Sequence, residues 1–82
     1  MLKIAEGISL EELEKYGFMD WNKEGAEVIY FKFIPINGMM ILILRDRSID
    51  FELPVGSIIE RSHIKIESFI EDLIQAGIVV KE

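Results

Sequence analysis

Apolar residues dominate the stretch from Val28 to Leu53, and their alternation predicts a three-stranded antiparallel β-meander. The dipeptide Asn37-Gly38 separates the first two apolar runs. It is typical of a two-residue type I′ hairpin, because both central residues of that turn adopt positive φ. Such a turn pairs Ile36 with Met39 and sets the register of the first two strands.

The second connection, Arg45–Ser48, contains no glycine. A four-residue loop closed by Leu44 and Ile49 is therefore favoured over a primed turn. Side chains alternate between the two faces of a strand, so these two turns assign every residue of the meander to one face. One face then contains only apolar side chains, and we predict that it is the core face: Ile29, Phe31, Phe33, Met40, Leu42, Leu44, Ile49, Phe51 and Leu53.

The opposite face of the predicted sheet has a mixed character. Its third strand is acidic, with Asp50 and Glu52 side by side. Pro35 has no N–H to donate, which indicates that the first strand lies at an edge of the sheet near its end. An apolar strip crosses the first two strands of this face and is flanked by cations. We single it out as a candidate interface: Tyr30, Lys32, Ile34, Ile41, Ile43 and Arg45.

A short helix is predicted before the meander, over Leu10–Tyr16. Ser9 and Glu12 have the spacing of a capping box, which satisfies free backbone N–H groups at the start of a helix. Gly17 provides the left-handed residue that commonly ends a helix. A helix of about two turns needs tertiary packing to persist.

A long helix is predicted after the meander, over residues 57–76. Ser57 and Glu60 form a second capping box and Gly77 the stop. Most of the apolar residues between them fall within an arc of about 160° on a helical projection. This favours one helix of about five turns. The density of β-branched residues leaves a break near Ser62 open as an alternative.

These elements together predict a single α+β domain over residues 1–82. It consists of a three- to five-stranded antiparallel β-meander sheet, with a short N-terminal helix and a long C-terminal helix packed on it. The additional strands would come from Leu2–Ile4 and Ile78–Val80. We expect the long helix to cover the all-apolar face. Whether the short helix covers the other face decides how much of the candidate interface remains free.

The composition indicates which partners and which compartment to expect for such a domain. The chain has 82 residues, half of them apolar, and a net charge of −6, which disfavours binding to a nucleic-acid backbone. It contains no cysteine, which excludes disulfides and fits a cytoplasmic protein. The apolar run Met39–Leu44 is too short to span a bilayer, and no signal-peptide pattern opens the chain, so no membrane association is expected.

The search for catalytic chemistry gives a negative expectation. His63 is the only histidine and lies at the margin of the predicted helix face, where a structural role is the simpler interpretation. No serine lies in a nucleophile elbow and no glycine run resembles a phosphate-binding loop. Asp50 and Glu52 fit a solubilising edge strand better than an acid–base pair. We therefore predict a protein that is not an enzyme and has no catalytic, metal or cofactor site.

The two ends of the chain carry a resemblance. Gly7–Phe18 and Ile70–Val79 resemble the ends of small, uncharacterised phage or prophage-type proteins of Gram-positive bacteria. The similarity covers about a quarter of the chain and rests on a capped helix followed by glycine and an apolar residue. It implies a context rather than an activity: an accessory protein in the cytoplasm of a bacterial host.

Three hypotheses for function follow from the sequence. The first is a protein-interaction module, which can take the form of a homodimer that pairs sheet faces or edges, because an apolar strip with a charged rim is typical of interfaces. The second is an acidic decoy or inhibitor that binds a basic protein surface. The third is winged-helix-like binding of nucleic acid, suggested only by a long helix followed by glycine and a strand.

Overall fold

The computed structural model describes residues 1–82 and contains six strands, three short 3-10 helices and one α-helix. The strands are β1 (Leu2–Ile4), β2 (Met19–Asp20), β3 (Val28–Ile34), β4 (Met39–Leu44), β5 (Ile49–Glu52) and β6 (Val79–Lys81). The 3-10 helices are Leu10–Tyr16, Arg61–His63 and Ile66–Phe69, and the α-helix, α1, is Glu71–Gln75.

The strands form two antiparallel sheets, which confirms the α+β class and the antiparallel meander. The larger sheet has the order β2-β3-β4-β5, and β1 pairs with β6 in a separate two-stranded sheet. The two sheets meet where Lys3 bridges to Ser48 and the Ile4 N–H donates to the Arg47 carbonyl at 2.9 Å. The chain ends are therefore tied to the second hairpin of the meander.

The first hairpin has a four-residue loop, Pro35–Gly38, so the predicted type I′ turn is wrong. Ile34 lies opposite Met39. Gly38 has a positive φ of 71°, whereas Asn37 does not adopt positive φ. The Asn37 side chain instead accepts a hydrogen bond from the Met39 N–H at 3.0 Å, which holds the longer loop. The register of these two strands therefore differs from the predicted register by two residues. Because side chains alternate between the faces of a strand, the residues that were predicted to share a face still share it.

The second hairpin is shifted by one residue, and this shift reorganises the sheet. Ile43 rather than Leu44 lies opposite Ile49. Arg47 adopts the left-handed conformation, with φ of 73°, and its N–H donates to the Leu44 carbonyl at 2.9 Å. A one-residue slip moves every side chain of a strand to the other face. Phe51 consequently lies beside Ile41.

The sheet has an inner face that carries the core and an outer face that does not. The inner face contains Tyr30, Lys32, Ile34, Met39, Ile41, Ile43, Ile49 and Phe51. The outer face contains Met19, Phe31, Phe33, Met40, Leu42, Asp50 and Glu52. The predicted assignment of the core to the Phe31 face is wrong, because the shifted β5 brings two carboxylates onto that face and its apolar side chains onto the other.

The core is one cluster of twelve buried residues built on the inner face. Five come from β3 and β4, and the others come from both chain ends, from the first 3-10 helix and α1, and from the residues that flank these two helices. They are Ile4, Leu13, Phe18, Tyr30, Ile34, Met39, Ile41, Ile43, Ile70, Leu73, Ile78 and Val79.

The N-terminal helix has the predicted bounds, Leu10–Tyr16, with Ser9 and Gly17 at its two ends, but the predicted capping box does not form because the Glu12 carboxylate pairs with Lys15. It is a 3-10 helix, with the Ser9 side chain accepting from the Glu11 N–H and Gly17 at φ of 90°. The Phe18 N–H donates back to the Leu13 carbonyl at 3.2 Å. Leu13 is fully buried in the core cluster. The short helix therefore packs on the face that contains the predicted interface strip.

The long C-terminal helix is absent, and residues 57–76 form three short helical segments instead. The Ser57 hydroxyl accepts from the Ile59 N–H at 3.2 Å, but no helix follows it. Ile64 and Lys65 are extended and separate the first two segments. β-branched residues lose side-chain freedom in a helix, and their density here explains the break. The predicted stop is confirmed, since Gly77 has φ of 75°.

Candidate interaction surface

Four of the six residues predicted to form an interface lie in the core. Tyr30 and Ile34 are less than a tenth exposed, and Ile41 and Ile43 are fully buried. The structure brings these four side chains together as the sequence predicted, but on the inner face. The short helix and the chain ends cover them, so they form no part of the molecular surface.

The two charged residues of that predicted set lie apart from each other. The Lys32 ammonium lies 5.8 Å from the centre of the Phe18 ring, which places its side chain against the end of the short helix. Arg45 is exposed, and its guanidinium donates to the Ala26 carbonyl at 2.6 Å. Each cation therefore stabilises a neighbouring loop.

The outer face is an apolar surface that is only partly exposed, since Phe31 and Met40 are partly buried and Leu42 is 7% exposed. Two rows of side chains cross it in register. One row contains Met19, Phe31, Leu42 and Asp50, and the other Phe33, Met40 and Glu52. Phe33 is 55% exposed and Met19 is 61% exposed. None of the outer-face residues belongs to the core cluster or packs against it.

Trp21 borders this face and extends its aromatic surface. Its N–H donates to the Ile29 carbonyl at 2.9 Å, which continues the pairing of β2 with β3. Its ring meets the Phe31 ring edge to face, with centroids 5.2 Å apart. The sequence already predicted that Phe31 and Phe33 lie on one face of a strand. The register of β5 is what decides that this pair faces outward.

The β5 edge of the sheet is occupied by Arg61. One guanidinium nitrogen donates to the Phe51 carbonyl at 2.6 Å and the other lies 2.9 Å from the Asp50 carboxylate. The guanidinium carbon also lies 4.2 Å from the centre of the Phe51 ring. An exposed ion pair adds little stability, but these contacts occupy a carbonyl that an added strand would need. The face, rather than this edge, is open to a partner.

Two groups with shifted pKa values make hydrogen bonds that stabilise the fold, and both lie away from the outer face. Burial, together with donation to the Glu14 carboxylate at 3.0 Å, raises the pKa of Tyr30 to about 12. Hydrogen bonds from the Ser48 hydroxyl and N–H lower the pKa of Asp46. The first contact fastens the short helix to the sheet, and the second shapes the β4–β5 loop.

The remaining polar features are a lone histidine, dispersed carboxylates and one open depression. His63 is exposed on a 3-10 turn. No three histidine, aspartate or glutamate side chains come together in a way that would hold a metal ion. The largest hollow, about 680 Å³, is an open polar depression beside the β2–β3 loop that includes Asp20, Lys23 and Arg45. No helix in the structure has the length and apolar character needed to cross a lipid bilayer.

Comparison with protein-family models, with curated proteins and with solved structures gives no match. The outer face is the feature that most needs a functional explanation, because two large apolar side chains, Met19 and Phe33, are exposed on neighbouring strands of one sheet.

Proposed function

We propose that this protein is a small non-enzymatic protein-interaction module that binds through the outer face of its sheet. The observation that carries the proposal is the exposure of Phe33 and Met19 on an apolar face that does not pack against the core cluster. The largest apolar patch on a typical monomeric protein covers about 300 to 600 Å² and is often functional. A polar rim is formed here by Asp50 and Glu52 on β5.

The residue types on the outer face support this proposal. Aromatic residues and methionine are enriched at protein interfaces, while charged residues are depleted at their centres. Trp21, Phe31, Phe33 and Met40 follow this composition, and the two acids lie at one margin. Full burial of a phenylalanine contributes about 1.5 to 3 kcal/mol, so the aromatic side chains are the ones that would contribute most to a contact at this face.

The acidic-decoy alternative has less support, because two of the three acids of the short helix already have partners. Glu12 lies 3.2 Å from the Lys15 ammonium, and Glu14 accepts from the Tyr30 hydroxyl. Of the three acids in that helix, only Glu11 has no side-chain partner within the chain. The winged-helix alternative rested on a long C-terminal helix, which the fold lacks.

Site-specific photo-crosslinking in cells tests the proposal. Benzoylphenylalanine is placed at Phe33, and the matched control carries it at Ile36. That residue is 87% exposed on the adjacent hairpin loop but lies outside the face. The resemblance to phage-type proteins and the lack of cysteine make the bacterial cytoplasm the setting to use.

We expect irradiation to give a discrete product of higher mass with the probe at position 33 and none with the probe at position 36. A covered face places the probe against one partner, whereas an exposed loop meets many molecules briefly. The absence of a product at position 33, or the same pattern at both positions, would contradict the proposed function.

A further inference from the structure

We infer that Asp50 and Arg61 form an edge guard, an ion pair that prevents an extended segment of another molecule from adding to β5. A strand at the edge of a sheet presents unpaired N–H and C=O groups to which a further strand can bind. The position of β5, the direction of its backbone groups and the contacts of Arg61 support the inference. It does not depend on the outer face, because it concerns the backbone of an edge strand.

β5 is an edge strand of the four-stranded sheet and pairs with β4 on one side. β1 approaches it only at its start, where Lys3 bridges to Ser48. The side chains of Asp50 and Arg61 are 50% and 56% exposed, so the middle of β5 lies at the molecular surface. An extended segment would therefore reach the backbone of β5 if no other group occupied it.

Phe51 is the residue of β5 whose backbone groups point away from β4. The Leu44 N–H donates to the Ser48 carbonyl at 2.9 Å, and hydrogen-bonded pairs alternate along an antiparallel ladder. Asp50 and Glu52 are therefore the residues whose backbone groups bond to β4. The N–H and the carbonyl of Phe51 point outward, where an added strand would bind them.

Side chains already bind both of these outward groups. The Phe51 N–H donates to the Asp50 carboxylate at 2.8 Å, and one Arg61 guanidinium nitrogen donates to the Phe51 carbonyl at 2.6 Å. The other guanidinium nitrogen donates to the same carboxylate oxygen at 2.9 Å. The guanidinium carbon lies 4.2 Å from the centre of the Phe51 ring, which holds the side chain against the edge. An added strand therefore finds neither a free donor nor a free acceptor at Phe51.

Stabilisation of the fold is the simpler role for an ion pair, but this pair is poorly suited to it. Both partners are about half exposed, and an exposed ion pair contributes little to stability. Protection of the edge requires only that the two backbone groups are occupied. Charged side chains on edge strands are one of the ways in which β-sheet proteins avoid pairing with other chains. We therefore expect removal of the guard to change association much more than folding.

Sedimentation equilibrium of a double variant with unchanged net charge tests the inference. Asp50→Ala combined with Arg61→Ala removes one acid and one base, so the net charge stays at −6. We expect its association constant to exceed that of the wild type by about thirtyfold, because each of the two freed groups gains a hydrogen bond worth about fivefold. Arg61→Ala alone frees only the carbonyl and should show an increase of about fivefold.

The matched control removes an ion pair of the same kind from the short helix. The Lys15 ammonium lies 3.2 Å from the Glu12 carboxylate, and both side chains are partly exposed. Glu12→Ala combined with Lys15→Ala also keeps the net charge but frees no backbone group of a strand. Its association constant should equal that of the wild type. Circular dichroism of each variant establishes that it is folded.

Amide hydrogen exchange at Phe51 identifies the surface that associates. In the double variant this N–H has lost its acceptor, so it should exchange faster than in the wild type when the protein is dilute. It should become protected as the concentration rises, because an added strand then accepts its hydrogen bond. A double variant that associates no more strongly than the wild type or the control would overturn the inference. Association without protection of the Phe51 N–H would also overturn it, because another surface would then be responsible.

Discussion

The ring of Trp21 meets the ring of Phe31 edge to face, with centroids 5.2 Å apart and planes at 88°. Trp21 is the only tryptophan, so its emission reports on this contact at the margin of the outer face. Phe31→Ala should shift the emission to longer wavelength, because the indole gains contact with water. The loss of an edge-to-face pair costs about 1 kcal/mol beyond the change in buried area.

The matched control for this prediction is Phe33→Ala, measured with the protein dilute. Phe33 is on the same strand and the same face but makes no ring contact with Trp21. Its replacement should leave the emission maximum in place. Equal shifts in the two variants would show that the emission does not depend on the Trp21–Phe31 contact.

The raised pKa of Tyr30 predicts that the protein loses stability at alkaline pH. Burial and the hydrogen bond to Glu14 raise its pKa from 10.0 to about 12 in the folded protein. Between pH 10 and 12 the unfolded chain has released this proton while the folded chain retains it. The free energy of unfolding must therefore fall as pH rises through that window. The contribution of this group is fully present below pH 10.

Urea unfolding at a series of pH values checks this prediction, with Tyr30→Phe as the comparison. The variant lacks the phenol, so it should lose the part of the alkaline decline that Tyr30 causes. Absorbance titration of the folded wild-type protein should show one phenol that ionises near pH 12. If Tyr30→Phe and the wild type decline identically, the proposed environment of Tyr30 is wrong.

Arg47 combines backbone strain with long-range hydrogen bonds. Its φ is 73°, and its guanidinium donates to the carbonyls of Ala5 and Ile8 at 3.1 and 3.0 Å. Arg47→Ala loses these bonds and keeps the strain. Arg47→Gly loses the same bonds but tolerates positive φ, so we expect it to be more stable than Arg47→Ala by about 1 kcal/mol. Urea unfolding of both variants measures this difference, and the reverse order would contradict the turn geometry.

The features that the sequence predicted correctly are those determined by neighbouring residues. The caps at Ser9 and Gly17 and the stop at Gly77 depend on hydrogen bonds that close within a few residues. The bounds of the short helix and the positions of the terminal strands follow from these signals and from apolar alternation. The face of the sheet that carries the core does not follow from local signals, because it depends on the register of β5.

The loop that sets the register of β5 is held by contacts with distant residues as well as by the local bonds of Asp46 and Ser48. Arg47 holds its left-handed conformation while bonded to the carbonyls of Ala5 and Ile8, which lie 42 and 39 positions away. No local pattern encodes that contact. With the register shifted by one residue, the strip containing Tyr30 and Ile43 becomes core and the candidate surface moves to the opposite face.

The C-terminal segment shows a different limit of sequence patterns. Its apolar spacing fits a helix, yet the chain is extended at Ile64 and Lys65. The Arg61 guanidinium bonds to β5 through Asp50 and the Phe51 carbonyl. Helical periodicity does not detect this tertiary attachment, and the β-branched residues around it weaken the helix that periodicity favours.

The assignment of the core to the inner face and of binding to the outer face is tested most directly at two adjacent methionines. Met39 is fully buried on the inner face, whereas Met40 lies on the outer face opposite Glu52. The measurement is the free energy of unfolding in urea, at low protein concentration, of Met39→Lys and Met40→Lys. Both variants receive the same unbranched, charged side chain.

We expect Met39→Lys to lose at least about 3 kcal/mol, because it places an unpaired charge in the core. Met40→Lys should lose less than about 1 kcal/mol, because its ammonium reaches solvent and faces a carboxylate across the strands. Equal losses, or a larger loss for Met40→Lys, would contradict the account. The outer face would then be part of the core and not a surface for binding.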